Sequence, residues 1–501
     1  MEEGIQFPRD ADGRRSTTVV NKAIYAAALA DVDFGAAAAV LAERNWRNAY
    51  PRHLRALTAA GLADGAQAIA LANAGLAAAW EQLEFVRDGR AESLANALRA
   101  PRTGALHTAT IRGTGAADIA PLTVPYHGQA LQGDSLRRQL DRWEAAGIVE
   151  PSHGVALRRV LDHPEWLDLS DRMLVLLGAG SEAGPLASLA GWRANVVAVD
   201  LPDARVWERI AGIMAAGNGT LTAPVNRPLD PAAPGDQWLE SAGADLLTQT
   251  PEIAAWLCSL PQALDIGAIA YLDGADHVRV TLAMDAIMTA CTAARPATTL
   301  MFMATPTDIF VVPAAVARAA ADSYRRRQTL SRALGAPLQA LSGGRLLAPH
   351  VNGLQQTLDG RQMGIVDCAI VQQGPNYALA KRLQRWRALS ARAAGTRVAV
   401  NVAPSTMTRS VIKNRLLKAG FDGAPRFGIE VFAPATTNAL MAALWVHDLR
   451  CAESAANPQR LLDHPLTLFT EGANHGGVWR LGYLPRTALP LAAIAGFVNG
   501  S

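Results

Sequence analysis

Lysine is nearly missing from this chain. Of 47 basic residues only four are lysines, Lys22, Lys381, Lys413 and Lys418. Arginine stands in for the rest, the pattern a GC-rich genome produces, so each remaining lysine merits inspection. Cysteine is also scarce. Cys258, Cys291, Cys368 and Cys451 lie far apart in sequence and form no C-x-x-C, which argues against a disulfide framework or a cysteine-based zinc site. The ten histidines show no H-x-H or H-E-x-x-H pairing, so no metal site is expected. Only 18% of residues are charged and the net charge is +3, too weak a field to point to nucleic acid or an anionic membrane. No apolar run reaches the roughly 18 residues that would suggest a membrane span. The polar Met1–Arg15 segment lacks the apolar stretch of a signal peptide. A cytoplasmic protein is expected.

What the chain does have is material for a core. Half of its 501 residues are hydrophobic, which excludes a disordered chain. The length suits two to four domains at about 100–200 residues each.

Residues 1–170 read as a mostly α-helical N-terminal domain. Ala63–Arg87 is rich in strong helix formers. A helix opens at Asp134-Ser135, with Leu136, Leu140 and Trp143 at helical spacing and Gly147 as its stop, and another starts at Ser152. Thr108–Gly113 and Leu122–Tyr126 are the extended candidates. From Asp171 the pattern changes. Met173–Leu177 and Asn195–Val199 are continuous apolar runs. A short third strand is expected to end at Asp245, then Ile266–Leu272, Thr299–Ala304 and Arg397–Val402. Helical stretches lie between them. Continuous apolar strands alternating with helices indicate an α/β fold, a doubly wound parallel sheet of Rossmann type. Residues 171–501 are read as that domain, with insertions near 214–240 and 309–365. Gly217–Gly235 reads as a loop. Phe310–Val312 and Leu330–Leu347 are apolar parts of the second insertion.

Gly178-Ala-Gly180-Ser181-Glu182-Ala183-Gly184 lies between the first apolar strand and a helical stretch. A glycine there permits a tight turn, lets backbone approach a pyrophosphate, and aims a helix N-terminus at the phosphates. Asp200, 22 positions after Gly178 and followed by Leu201, ends the second strand. A carboxylate there accepts hydrogen bonds from ribose hydroxyls and repels a 2′-phosphate, so NAD is expected over NADP. Arg205 leaves NADP open. An S-adenosylmethionine methyltransferase shares these two features.

Tyr377-Ala-Leu-Ala-Lys381 opens a later helix, and its i, i+4 spacing puts both side chains on one face. An ammonium near a phenol favours the phenolate and adapts it to proton transfer near neutral pH. Seven tyrosines and four lysines in 501 positions would yield about 0.06 such pairs by chance.

Taken in order over 171–485, these motifs resemble the short-chain dehydrogenase/reductase family, and the chain is identified as a divergent member with an extra N-terminal helical region. The resemblance implies cofactor contacts from Gly178, Gly180, Ser181, Glu182, Ala183, Gly184, Asp200 and Leu201. It makes Asp245-Leu246 the adenine-contacting pair, and Tyr377 and Lys381 the catalytic pair. Pro404–Thr408 is similar to the segment that closes over nicotinamide, with Thr408 meeting its carboxamide. Thr436–Leu449 resembles a late helix of the fold. The departures are Glu182 in place of the middle glycine and Leu272-Asp273-Gly274-Ala275 after the fourth strand. No serine lies about 13 residues before Tyr377, so Thr305, with Thr307 as a second candidate, takes the substrate-orienting role. The resemblance implies an NAD(P)(H)-dependent interconversion of a secondary alcohol and a ketone, a small-molecule substrate of bulky or apolar character, and a homo-oligomer. The alternatives are the methyltransferase and a non-catalytic NAD-binding sensor or scaffold.

Overall fold

The computed structural model describes residues 2–99, 106–182, 184–229, 237–326, 346–351 and 353–499. Its centre is a seven-stranded sheet, whose strands alone are numbered here. They are β1 (His107–Arg112), β2 (Met173–Leu177), β3 (Asn195–Val199), β4 (Thr220–Val225), β5 (Asp265–Ala268), β6 (Thr299–Ala304) and β7 (Val398–Val402). They run in the order β7-β6-β5-β2-β3-β4-β1. All neighbours are parallel except β1, which pairs antiparallel with β4. The strand order reverses between β2 and β5, and a crevice at the carboxyl end of such a switch point is where open α/β sheets bind ligands.

Side-chain alternation explains why the strands are apolar throughout. On one face Val175, Leu177, Val197, Val199, Ile266 and Phe302 join one buried core. Their neighbours Leu174, Leu176, Val196, Ala198, Met301 and Met303 join a second core on the other face. Both faces are covered, so the inner strands are apolar apart from polar residues near their ends, such as Asp265 and Thr299, which bond each other at 2.7 Å. The first core is roofed by helices Thr250–Ser259, Ala275–Ala294 and Pro375–Ala393. The second is roofed by Gly133–Ala145, Pro151–Asp162, Ala204–Ala215 and Pro434–Arg450.

The first 170 residues, expected as a domain of their own, divide between these two faces. Helices Thr17–Leu29, Trp46–Leu62 and Gly65–Gln82 form an outer layer over Pro375–Ala393 and share its core. Tyr25 meets Trp386 edge-on at 6.1 Å. A Cβ on Gly75 would lie 2.3 Å from the Trp386 ring, so only glycine admits this approach. The segment from His107 onward adds β1 to the sheet and two helices to the opposite face. These residues bury their apolar faces against the sheet and its helices, since the described residues of 1–170 form no sheet of comparable size of their own.

Two local expectations are corrected. The helix anticipated over Ala63–Arg87 ends at Gln82, and Glu84–Arg87 is a strand between Gly4–Gln6 and Arg90–Ser93. The third parallel strand lies at Thr220–Val225, inside the stretch read as a loop, and Asp245 follows it by a long connection. Flanking glycines and Pro224 disguised it. Pro224 has no N–H to donate, but β3 pairs only with Thr220–Thr222, and Pro224 faces Thr108 of β1 beyond that ladder. In the 309–365 insertion, Ile309–Pro313, Leu354–Gln356 and Gln362–Asp367 form a small antiparallel sheet. Phe310–Val312 is buried there, whereas most of Leu330–Leu347 lies outside the described residues.

Candidate functional site

The turn after β2 has the shape its glycines require. Gly178 has φ +94, and a Cβ on it would stand 2.6 Å from the Ala270 backbone after β5. Its N–H and that of Ala179 donate to Val199 O, tying the turn to β3. Gly180 N–H donates to Asp200 Oδ2 at 2.7 Å, and Leu201 N–H donates to Oδ1 at 2.8 Å. Burial raises the Asp200 carboxyl above its ordinary value, against these two N–H bonds and the nearby Arg209 charge. Each oxygen keeps an unused acceptor position, as two ribose hydroxyls would require.

Two expected features differ. The helix after the turn spans only Leu186–Ala190. One short turn of helix supplies little dipole, so the anticipated helix N-terminus for phosphate does not form. Glu182, in place of the middle glycine, reaches across the cleft. Its carboxylate accepts from Arg409 N–H at 2.9 Å and pairs with the Arg409 guanidinium at 3.0 Å. Asn438 donates to Glu182 O. The glycine turn is thereby latched to the segment following Pro404–Thr408. Ala183 lies outside the described residues, and Gly184 N–H and Ser181 O close the turn at 3.1 Å.

The Asp200 end of the cleft is completed by Gly243–Leu246, which runs beside Asp200–Pro202. Ala244 N–H donates to Asp200 O, and a Cβ on Gly243 would lie 2.7 Å from Leu201 O. Asp245 Oδ1 accepts from Leu247 N–H, so this carboxylate shapes its own turn, and Leu246 is buried in the core. The exposed Arg205 is paired with Asp203. The basic group at the turn is Arg209, one helical turn further on, whose guanidinium donates to Gly180 O. The i, i+4 step from Arg205 was the available sequence signal for it.

The second half of the site gathers where β5 and β6 end. Pro375–Ala393 starts with Pro375 at its first position, pre-set for helix, and presents Tyr377 and Lys381 one turn apart. Thr305, immediately after β6, lines the same small cavity as Tyr377 and Lys381, and its hydroxyl interacts with the Tyr377 phenol. Thr305 and Thr307 hydroxyls are 2.8 Å apart, and Thr307 donates to Gln373 Oε1 at 2.8 Å. Thr307 N–H also donates to Thr305 Oγ1 at 3.3 Å, so Thr307 holds the Thr305 hydroxyl beside the phenol. Tyr50 and Leu54, from the N-terminal layer, form another wall of the cavity.

The electrostatics differ from the expected pairing. Burial pushes the Tyr377 phenol up to about 12, opposed by the Thr305 hydroxyl. Lys381 is itself drawn down to about 8 by burial. Its ammonium donates to Met303 O at 3.2 Å and Gln384 Oε1 at 3.1 Å. Desolvation therefore sets the acidity of both groups, and the Asp308 charge raises the phenol further. His277, which the sequence did not mark, stacks on Tyr377 with ring centroids 5.6 Å apart. It is almost fully buried, and neither ring nitrogen has a partner among the described residues. Tyr271 closes the gap to the glycine turn, with its ring 6.3 Å from that of Tyr377 and its hydroxyl on Asp273. His277 lies 100 positions before Tyr377, so no local spacing could reveal it.

In the closing segment, Thr406 bonds Pro404 O and Thr437, and Thr408 starts the short helix Arg409–Lys413. A cavity of about 340 Å³ lies elsewhere, against the outer edge of β7 and near Arg159, Asp448, Arg460 and Glu471. No helix among the described residues is long and apolar enough to cross a membrane.

No protein-family model, curated protein or solved structure matches this chain.

Proposed function

We propose that the chain is an NAD(H)-dependent oxidoreductase of the short-chain dehydrogenase/reductase kind that interconverts a secondary alcohol and a ketone. The observation that carries this reading is the meeting of Thr305, Tyr377 and Lys381 beside the strand-order switch point. The ribose end of the cleft fits a dinucleotide, through Asp200, Gly178 and the neighbouring Ala244. A nicotinamide, when bound, would supply or accept the hydride. Tyr377 gives or takes the hydroxyl proton, and Thr305 orients the substrate oxygen toward it. Lys381 holds a positive charge one helical turn away, and the resemblance assigns it the nicotinamide ribose. Leu54, Ala369 and Ala378 give the cavity apolar walls, and at about 10 Å³ it must open before a ketone can enter. Asp200 disfavours a 2′-phosphate, and NADP remains the alternative cofactor through Arg209.

A second reading has its own support. Glu182 places a carboxylate where a pyrophosphate would approach, and its charge opposes that approach unless Arg409 neutralises it. This favours a non-catalytic nucleotide sensor in which the latch opens on binding. A methyltransferase would give the Thr305–Tyr377–Lys381 cluster no role.

Calorimetry with NAD, NADP and S-adenosylmethionine, followed by turnover across a panel of alcohols and ketones, separates the three. For the dehydrogenase, Tyr377→Phe should keep NAD binding and lose turnover by about a hundredfold or more. Undiminished turnover in a folded Tyr377→Phe protein overturns the assignment. NAD binding with no turnover of any substrate favours the sensor.

A further inference from the structure

Cysteines 33 positions apart in sequence meet in space. Cys258, near the end of helix Thr250–Ser259, and Cys291, on helix Ala275–Ala294, have sulfurs 3.8 Å apart. Both are free thiols. Cys258 is half-buried and reachable from solvent, whereas Cys291 is buried behind it. Arg295 reaches over the pair, donating to Cys258 O at 3.1 Å and to Gln262 O at 2.7 Å. This is the arrangement of an attacking and a resolving thiol: one accessible, one protected, in van der Waals contact beside a cation.

The other two cysteines are placed differently. Cys368 is sealed in the core 3.3 Å from His350 Nε2, and burial holds its thiol well above the ordinary range. Cys451 is buried, with its sulfur against Arg159 and Glu453. Neither has a second cysteine beside it.

We propose that Cys258 and Cys291 form a reversible intramolecular disulfide when the protein meets a peroxide. The Cys258 thiolate attacks one peroxide oxygen. The O–O bond breaks, Cys258 becomes a sulfenic acid, and the departing hydroxide leaves as water after taking up a proton. The Cys291 sulfur then attacks the sulfenic sulfur. The S–S bond forms, the S–O bond breaks, and the Cys291 proton leaves with the hydroxyl as a second water. The two sulfurs together lose two electrons and the peroxide gains two. The sulfurs must close from 3.8 Å to about 2.05 Å, a movement within reach of side-chain rotation.

Acidity supports the order of events. A hydrogen bond from Cys291 and the charge of Arg295 draw the Cys258 thiol down to about 7, while its partner is pushed up. Cys258 is thus the more acidic and more accessible thiol, and the nucleophile of the pair. The cross-link would close a loop containing β5 and residues 269–274, the segment that packs against Gly178 and Tyr377. The proposal does not depend on the dehydrogenase reading.

The test uses the full chain, fully reduced and then treated with hydrogen peroxide. Alkylation after denaturation should show accessible thiols falling from four to two. Peptide mapping should find Cys258 joined to Cys291, less the mass of two hydrogens, and dithiothreitol should restore both thiols. In Cys291→Ala, peroxide should leave Cys258 as a sulfenic acid that dimedone traps. If that variant does not fold, mapping of the unaltered chain decides alone. Four surviving thiols, a disulfide joining any other pair, or over-oxidation of Cys258 without a cross-link overturns the proposal.

Discussion

At Lys381, burial and hydrogen bonding decide what a scarce residue contributes. Its ammonium is fixed between Met303 O and Gln384 Oε1, while burial holds its pKa near 8. An arginine would be longer, planar and forked, and could not place a compact charge at the same point. On the dehydrogenase reading, Lys381→Arg should lower turnover by about a hundredfold while the protein stays folded. Steady-state kinetics alongside circular dichroism check this, and full activity would reduce the Tyr377–Lys381 spacing to coincidence. The pairing was legible in the sequence because an i, i+4 step is a local property of a helix. Thr305 was reached only by counting to the end of a strand. His277 and Arg209 were not reached at all, since their neighbours are brought to them by the fold of the sheet.

At the scale of elements, the helix carrying Tyr377 and Lys381 is held between the sheet and the N-terminal layer. Gly75 allows helix Gly65–Gln82 to lie directly on Trp386. Gly75→Val should force the two helices apart and cost about 1–3 kcal/mol from overpacking. Urea denaturation measures the loss, and an unchanged midpoint would show that the helices do not meet there. On the same helix, Arg382 and Arg385 both reach Asp308 just after β6, at 3.0 and 2.6 Å. Burial raises the Asp308 carboxyl and the two guanidinium charges outweigh it, so it stays below its ordinary value. Arg385 also lies over the rings of Phe310 and Phe469. This buried cluster ties the helix to the strand end that carries Thr305. Strands β2, β3, β6 and β7 were visible as apolar runs because both faces of each are covered. β4 was not, because its proline and flanking glycines are loop signals until β1 and β3 supply partners on either side.

For the whole molecule, buried histidines set a pH limit. Burial holds His153 and His350 at about 4, and lowers His277 and His475 too. His153 and His350 leave the native state with fewer bound protons than the unfolded chain between about 4 and the ordinary 6.5, and the other two act in the same direction. Stability from these groups is therefore full above about 6.5 and is lost as pH falls toward 4. His153 donates to Gly472 O from Nδ1, and its Nε2 has no partner among the described residues, so protonation would place an uncompensated charge in the core. Urea midpoints should fall from pH 7.5 to pH 5, and the fall should shrink in a His153→Gln, His350→Gln double variant. A midpoint that does not change with pH would contradict this account.

Local chemistry in the chain alone determined the apolar strands, the turn at Gly178, the acid closing β3 and the tyrosine–lysine step. Each depends on a period of two or 3.6 residues, or on a conformation only glycine adopts readily, and such constraints are written within a few neighbouring residues. The tertiary structure decided the rest. It recruited the first 170 residues to both faces of one sheet, set Glu182 against Arg409, and brought Thr305 to Tyr377 and Cys258 to Cys291. These meetings join segments 33 to 227 residues apart. They arise because apolar area must be buried somewhere, and which surfaces meet in doing so depends on every element at once.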